Sequence, residues 1–217
     1  MERTETLTQA GTILVADDHP LFRQALVMAV GNVAPRARIV EAATLERAVE
    51  SATAASDLLL ILLDLKMPGS AGFSGVALLH AERPSVPILV ISSAEAQVAA
   101  PEARRYGAVG FIGKDQDLTV IEEAIAAALE GHSPALAAIP QDDVDDMASK
   151  VASLTPTQLR VLLGVLDGQL NKQIAYEMGV AESTIKSHMT TVLAKLGVQN
   201  RTQAALAARA LGLGGER

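Results

Sequence analysis

At 217 residues, 49% of them apolar, the chain is long enough for two ordinary domains. With 3 Phe, 2 Tyr and no Trp, their cores must be aliphatic. Lack of cysteine excludes a disulfide and a thiolate metal site, no charged-then-apolar leader opens the chain, and no apolar run approaches the ~18 residues of a membrane span; a soluble cytoplasmic protein is expected. The net charge of −7 hides an asymmetry: residues 1–149 carry 10 Lys/Arg against 21 Asp/Glu, and residues 150–217 carry 8 against 4, so only the second part suits a polyanion.

Thr12–Ala16 (TILVA) reads as a short apolar strand ending in Asp17-Asp18. His19-Pro20 follows, and proline suits the first turn of a helix, expected over Leu21–Val30 with Leu21, Ala25, Met28 and Ala29 at helical spacing. Arg38–Glu41 predicts a second strand, and Thr44 caps a helix over Leu45–Thr53 whose Leu45, Ala48, Val49 and Ala52 share a face. The stretch Asp57–Gly69, DLLLILLDLKMPG, organises the rest. Its six consecutive apolar residues, Leu58–Leu63, are too few for a buried helix and read as a central strand covered on both faces. That strand runs directly into Asp64, and Met67-Pro68-Gly69 then turns the chain.

Ser74–Arg83 (helix), Val86–Ile91 (strand), Ala94–Tyr106 (helix), Ala108–Ile112 (strand) and Asp117–Leu129 (helix) complete an alternation of five strands and five helices. It predicts an α/β fold, a five-stranded doubly wound parallel sheet, over residues 10–131. Residues 132–152, with four aspartates among Asp142–Asp146, read as a solvated linker with a helical turn over Val144–Val151. A small all-α domain over residues 153–217 follows. Its four helices are expected from Thr155-Pro156 to Leu166, over Asn171–Met178, over Glu182–Leu196 and over Thr202–Leu211, with breaks at Gly168, Gly179 and Gly197. In the third of these, Ile185, Met189, Val192, Leu193 and Leu196 form a buried stripe. Lys186, Ser187, Thr190 and Thr191 form an outer face, small, polar and mildly basic, suited to a major groove.

In a parallel doubly wound sheet the carboxyl ends of the strands lie side by side, so Asp17, Asp18 and Asp64 converge on one edge. Three such carboxylates repel one another unless a hard divalent cation sits among them, and Mg²⁺ with its oxygen preference fits. Ser92 ends the fourth strand and Lys114 follows the fifth, bringing a hydroxyl and a cation to the same edge. Each has a plain explanation taken singly, as a cap, a turn residue or a solvated charge; five residues at the ends of four strands do not.

VADDHP, LLLILLDLKMPG, ILVIS and GFIGK, in this order, resemble the receiver domain of two-component response regulators, whose fold is flavodoxin-like. The resemblance implies that Asp64 accepts a phosphoryl group as an acyl phosphate. It further implies that Asp17, Asp18, Asp64 and the backbone carbonyl of Lys66 hold Mg²⁺, that Lys114 pairs with the phosphoryl oxygens, that Ser92 swings to hydrogen-bond one of them, and that Phe111 changes rotamer with the switch. The run GSAGFSG after Met67-Pro68 is longer and richer in glycine than the usual turn, which bears on kinase recognition and dephosphorylation rate.

The second resemblance, carried by LTPTQLRVLLGVLDGQLNKQIAYEMGVAESTIKSHMTTVLAKLGVQNRTQAA, is to the LuxR-type helix-turn-helix DNA-binding domain of NarL/FixJ-class regulators. It implies DNA contacts from Lys172, Ser183, Thr184, Lys186, Ser187, His188, Thr190 and Lys195. Ala181 stands where relatives carry a capping serine, and Thr157-Gln158 where they carry an arginine-glutamate pair. A pairing face is expected on the last helix at Ala204, Ala205, Ala208 and Leu211, with the receiver's fourth helix and fifth strand as the alternative. Together these resemblances imply a transcriptional response regulator, not an enzyme. Its partners would be double-stranded DNA, a sensor histidine kinase and a second copy of itself in a phosphorylation-dependent homodimer. A regulator insensitive to phosphorylation, using the receiver as an interaction or kinase-titrating module, is the competing expectation. A phosphoaspartate hydrolase would need a second acid two residues after Asp64, where this chain has Lys66.

Overall fold

Short apolar strands alternating with amphipathic helices can bury both kinds of face in one way, as helices layered on two sides of a parallel sheet. The computed structural model of the chain, which describes residues 10–132 and 146–213, has that architecture in its first unit. Five strands, β1 (Thr12–Ala16), β2 (Arg38–Ala42), β3 (Leu58–Leu63), β4 (Ile88–Ser92) and β5 (Ala108–Gly113), lie in the order β2-β1-β3-β4-β5, and every pairing is parallel. The helices are α1 (Pro20–Val33), α2 (Leu45–Ala54), α3 (Ser74–Glu82), α4 (Ala96–Arg105) and α5 (Leu118–Leu129).

The core is aliphatic. Alternation along the strands sends Ile13, Val15, Leu60, Leu62, Leu89 and Ile91 to one face, where they meet Leu26, Ala29 and Val30 of α1 and Ile121, Ala124, Ile125 and Ala128 of α5. Leu14, Ile61 and Val90, also fully buried, alternate to the other face. Because β1 and β3 are neighbours and their crossovers leave on opposite sides, the crevice of this topology opens between their carboxyl ends. Asp17 and Asp64 follow those two strands directly.

Some bounds move by a few residues, with local causes. The expected strand from Val86 starts at Ile88, because Val86 N–H closes a turn onto the Arg83 carbonyl and Pro87 has no N–H for the ladder. Pro20 itself opens α1, and the helix runs on to Val33. The fourth helix is shorter at both ends than Ala94–Tyr106 and carries Pro101 inside it.

Contacts divide the described chain into two units, residues 10–70 with 75–132 and residues 146–213 with 71–74. The second unit is all-helical: α6 (Asp146–Ala152), α7 (Pro156–Leu166), α8 (Asn171–Glu177), α9 (Glu182–Leu196) and α10 (Arg201–Ala210). Residues 146–152, expected in the linker, form helix α6 and pack on α9. Residues 133–145 of the expected linker, Val144 among them, lie outside the described residues. Helix α7 opens with a capping box: Gln158 N–H donates to Thr155 Oγ1 at 3.4 Å, and Thr155 N–H donates to Gln158 Oε1 at 3.1 Å. The glutamine at this position thus closes the helix start. At the far end of α9, Gly197 takes φ 70° and caps the helix in the left-handed conformation that a side chain would resist.

Candidate functional site

The acidic edge is assembled by strand ends. Asp64 N–H donates to the Ala16 carbonyl (2.9 Å) and Asp17 N–H to the Ala42 carbonyl (3.0 Å), which extends the ladder one residue past each strand and fixes both aspartates beside the crevice. Asp17 is wholly buried and Asp64 nearly so, while Asp18 is partly open to solvent. Lys114, just beyond β5, reaches back with Nζ 2.7 Å from Asp17 Oδ2 and 2.8 Å from Asp64 Oδ2. Its own N–H is anchored on the Ser92 carbonyl at 3.0 Å, and its ammonium lies 4.8 Å from the centre of the Phe22 ring.

The remaining oxygens of the aspartates face the chain that follows them. Asp17 Oδ1 accepts from His19 N–H at 2.8 Å, and Asp64 Oδ1 accepts from Lys66 N–H at 3.2 Å. Asp17 Oδ2 and Asp18 Oδ1 are shielded from water yet make no hydrogen bond; each has only an ion-pair neighbour, Lys114 for the first and His19 Nδ1, at 2.8 Å, for the second. Ligand atoms of Asp17, Asp18, His19 and Asp64 all lie within 4.8 Å of one another. Three carboxylates this closely grouped share one ammonium and repel one another, and a hard cation is the partner that such an oxygen set accommodates. The residues present therefore fit a divalent ion.

Ser92 is fully buried at the end of β4, and its hydroxyl has no hydrogen-bond partner. It lines an open cavity of about 620 Å³ between β4, β5 and the start of α5, together with Phe111, Gly113 and Val120. Phe111 is turned fully inward. The structure thus brings Asp17, Asp18, Asp64, Ser92, Lys114 and Phe111 to one edge, and places Lys66 beside it as an exposed residue.

Two side chains here were not read as functional from sequence. His19 sits at the mouth of the acidic cluster, 66% exposed, on the signal Asp-Asp-His-Pro. Arg23 of α1 donates Nη1 to the Asp17 carbonyl (2.8 Å) and Nε to Glu41 Oε2 (2.9 Å), tying the loop that carries Asp17, Asp18 and His19 to β2. A lone arginine one turn into a helix gives no sequence signal of such a role.

In the second unit α9 buries Ile185, Met189, Val192 and Leu196 and exposes Ser183, Lys186, Ser187 and Thr190, with Thr184 and His188 half-buried beside them. Lys186 Nζ pairs with Glu182 Oε1 at 2.9 Å, one turn earlier on the same surface. Lys172 is exposed on α8, and Tyr176, one turn further and 88% exposed, adds an aromatic that sequence reading passed over. Lys195 departs from expectation: its ammonium donates to the Ser153 carbonyl at 2.8 Å, so it holds the end of α6.

The expected pairing face on α10 is corrected. Ala204 and Ala208 are wholly buried and Leu211 nearly so, with only Ala205 half-exposed, because this side packs on α7 and α9 to close the bundle. Small residues there allow close helix approach within the unit. The exposed apolar residue of α10 is Leu206, at 62%.

Comparison with known proteins is consistent across the chain. A family model described as response regulator receiver domain matches residues 13–126, and one described as bacterial regulatory proteins, luxR family, matches residues 152–208. A glycerol metabolism activator of Pseudomonas putida is 37% identical over 211 residues, covering 90% of this chain and 94% of the relative. The nitrate/nitrite response regulator protein NarL of Escherichia coli K12 is 32% identical over 206 residues, covering 91% and 94%. Among solved structures, a LuxR-family two-component response regulator from Aurantimonas aligns with TM-score 0.53 and 25% identity over 58% of this chain and 89% of its own. RcsB in its DNA complex aligns with TM-score 0.53 and 20% identity over 93% and 99%.

Proposed function

This chain belongs to the response regulators that join a receiver domain to a luxR-type DNA-binding domain, and from that premise we propose a transcriptional regulator switched by phosphorylation of Asp64. What carries the reading is one arrangement: a nearly buried Asp64 held by Lys114, beside a buried Ser92 hydroxyl that has no partner.

An Asp64 carboxylate oxygen attacks the phosphorus of a phosphohistidine in a sensor kinase, or of a small phosphodonor, and the donor's leaving group departs. An acyl phosphate forms. Asp17, Asp18, Asp64 and the Lys66 carbonyl would hold Mg²⁺, which when bound supplies neutralising charge for the incoming phosphoryl oxygens. Lys114 already lies 2.8 Å from Asp64 and can follow the new oxygens, releasing Asp17. The Ser92 hydroxyl gains an acceptor only in the modified state. Phe111 can then fill space left by Ser92 in the adjoining cavity. Contacts available in one state alone are what bias a two-state element. The receiver thus handles a phosphoryl group on itself and turns over no separate substrate, as expected of a regulator in the cytoplasm. Among the described residues no helix is long and apolar enough to cross a membrane.

At the other end, α9 would enter the major groove with Lys186, Ser187 and Thr190 toward base edges and phosphates, with Lys172, Ser183, Thr184 and His188 around them. Thr190 and Thr191 each donate to a carbonyl one turn back, at 3.0 and 3.2 Å, and keep their oxygens free to accept. A phosphorylation-dependent homodimer would present two such helices to half-sites one helical turn, ~34 Å, apart. The test is DNA binding to fragments of the source genome, with Mg²⁺, with and without a small phosphodonor, for wild type and Asp64→Asn. Tightening with phosphodonor in the wild type alone is the expected result. Equal binding in all four conditions would leave the receiver as an interaction module and overturn the phosphorylation switch.

A further inference from the structure

We propose that Thr190 makes α9 select an A·T base pair where it meets DNA, through the adenine N6 amino group and the thymine methyl; the inference rests on reading α9 as the helix that enters the major groove. Thr190 is exposed on the outer face of α9, away from the buried Ile185, Met189 and Val192. Its Oγ1 lies 3.0 Å from the carbonyl oxygen of Lys186, one turn back. A carbonyl oxygen can only accept, so the single hydroxyl proton of Thr190 is committed to the helix itself.

The Thr190 oxygen can therefore accept, and cannot donate without breaking that bond. A free threonine hydroxyl is ambivalent and serves either kind of base edge. Thr190 has lost the ambivalence. Phosphate oxygens are acceptors, and so are guanine N7 and O6, adenine N7 and thymine O4; none of these offers such an oxygen a proton. The donors of the major groove are the amino groups of adenine N6 and cytosine N4.

The methyl decides between them. With two heavy atoms on Cβ, threonine has few staggered arrangements, and fixing Oγ1 on the Lys186 carbonyl fixes Cγ2 with it. The exposed side chain thus presents an acceptor and a methyl group together. An A·T pair answers both, with an amino group on one base and a C5 methyl on the other; a C·G pair answers only the first. Lys186, one turn before Thr190, holds an ammonium 2.9 Å from Glu182 Oε1 and is a donor suited to guanine or phosphate, so it does not duplicate the reading. Thr191 donates likewise to the Ser187 carbonyl, at 3.2 Å, but stands one turn before Lys195, on the side where α9 meets α6.

The experiment is selection of binding sites from a random DNA duplex library by the full chain, with Mg²⁺, with and without a small phosphodonor, for wild type, Thr190→Ala and Thr190→Ser. The base pair whose preference changes in Thr190→Ala is the one that Thr190 reads. In the expected result the wild type selects A·T there and Thr190→Ala accepts any pair. The other positions keep their preferences, which shows that the variant is folded. Replacing that A·T pair by G·C in the selected duplex weakens the wild type by about fivefold or more, the lower end of the cost of one mismatched pair. Deoxyuridine in place of the thymine removes the methyl alone; it weakens the wild type and not Thr190→Ser, which has the hydroxyl without the methyl. If the position that changes prefers G·C or C·G, if no position changes, or if deoxyuridine costs the wild type nothing, the inference fails while α9 stands as the DNA reader. If no sequence is enriched by the wild type in either condition, α9 does not read DNA and both fail.

Discussion

The two edges of the sheet each carry an aspartate-and-cation cluster, and they are built on opposite terms. At the edge where the strands begin, the fully buried Thr12 donates its hydroxyl to Asp57 Oδ1 at 2.8 Å and accepts from Arg38 Nη2 at 2.8 Å, while the Arg38–Asp57 pair, 3.6 Å apart, is half open to water. The Thr12 hydroxyl, with Arg38 adding its charge, holds the Asp57 carboxyl below the usual carboxylate range. Every polar group named there has a partner. Where the strands end, Asp17 and Asp64 are buried, share one ammonium, and leave Asp17 Oδ2 and the Ser92 hydroxyl without hydrogen bonds. A polar cluster with all its bonds made has nothing to gain from a visitor; one with bonds missing is stabilised by the ion or phosphoryl group that supplies them.

The sharpest way to break that contrast is Lys114→Met. It strips two buried carboxylates of their cation and is expected to destabilise the metal-free receiver by about 3 kcal/mol, the scale for removing one partner of a buried ion pair. Added Mg²⁺ should return most of the loss. Urea unfolding in a Tyr176→Phe background, which leaves Tyr106 as the sole tyrosine and reporter of the receiver core, measures it with and without chelator. No loss on substitution would mean that the buried pair contributes nothing.

At the opposite edge the expected effects are smaller and indifferent to metal. Gly107 takes φ 100° at the start of β5, and a Cβ there would lie 2.4 Å from the His80 ring, so Gly107→Ala should cost about 2 kcal/mol for backbone strain and the displaced imidazole. Thr12→Val removes the hydroxyl that joins Asp57 to Arg38 and should cost about 1 kcal/mol. The same unfolding assay should find both losses unchanged by Mg²⁺. A Mg²⁺-dependent loss in either would erase the distinction between the edges.

Sequence alone reached the unsatisfied end of this comparison and not the other, for a physical reason. Asp17, Asp64, Ser92 and Lys114 stand at strand ends, and strand ends follow from apolar runs such as LLLILL, so parallel pairing brings the four together without any knowledge of side-chain rotamers. The Thr12–Arg38–Asp57 cluster depends on which neighbour each strand start faces, and His80 over Gly107 on a positive φ; neither leaves a pattern in one sequence. The same limit produced the α10 error. An alanine stripe at 204, 205 and 208 is equally a pairing face or the inside of a bundle, and only the packing of α7 and α9 decides. His19 was in plain view within Asp-Asp-His-Pro, yet its ring position over the carboxylates is a rotamer fact.

The smallest expected effect lies at His80, whose half-buried ring lines a cavity of about 360 Å³ with Pro84, Val86, Gly107 and His132 and whose Nδ1 is shielded without a hydrogen bond. Burial disfavours the imidazolium and holds its pKa below the ordinary 6.5. The unfolded chain therefore takes up this proton at a higher pH than the folded receiver does. Stability from this site is complete above about pH 6.5 and is lost as pH falls through the lower folded value, since protonation then favours the unfolded chain. The chain holds four histidines, so the wild-type profile alone assigns nothing. The difference between wild type and His80→Leu isolates the group. The variant should lose the part of the stability slope between about pH 7 and pH 5 that His80 supplies, with the Mg²⁺ response unaltered because the site lies at the far edge. An unchanged slope would show that the cavity lets water reach the ring and that the edge where the strands begin carries no titrating strain.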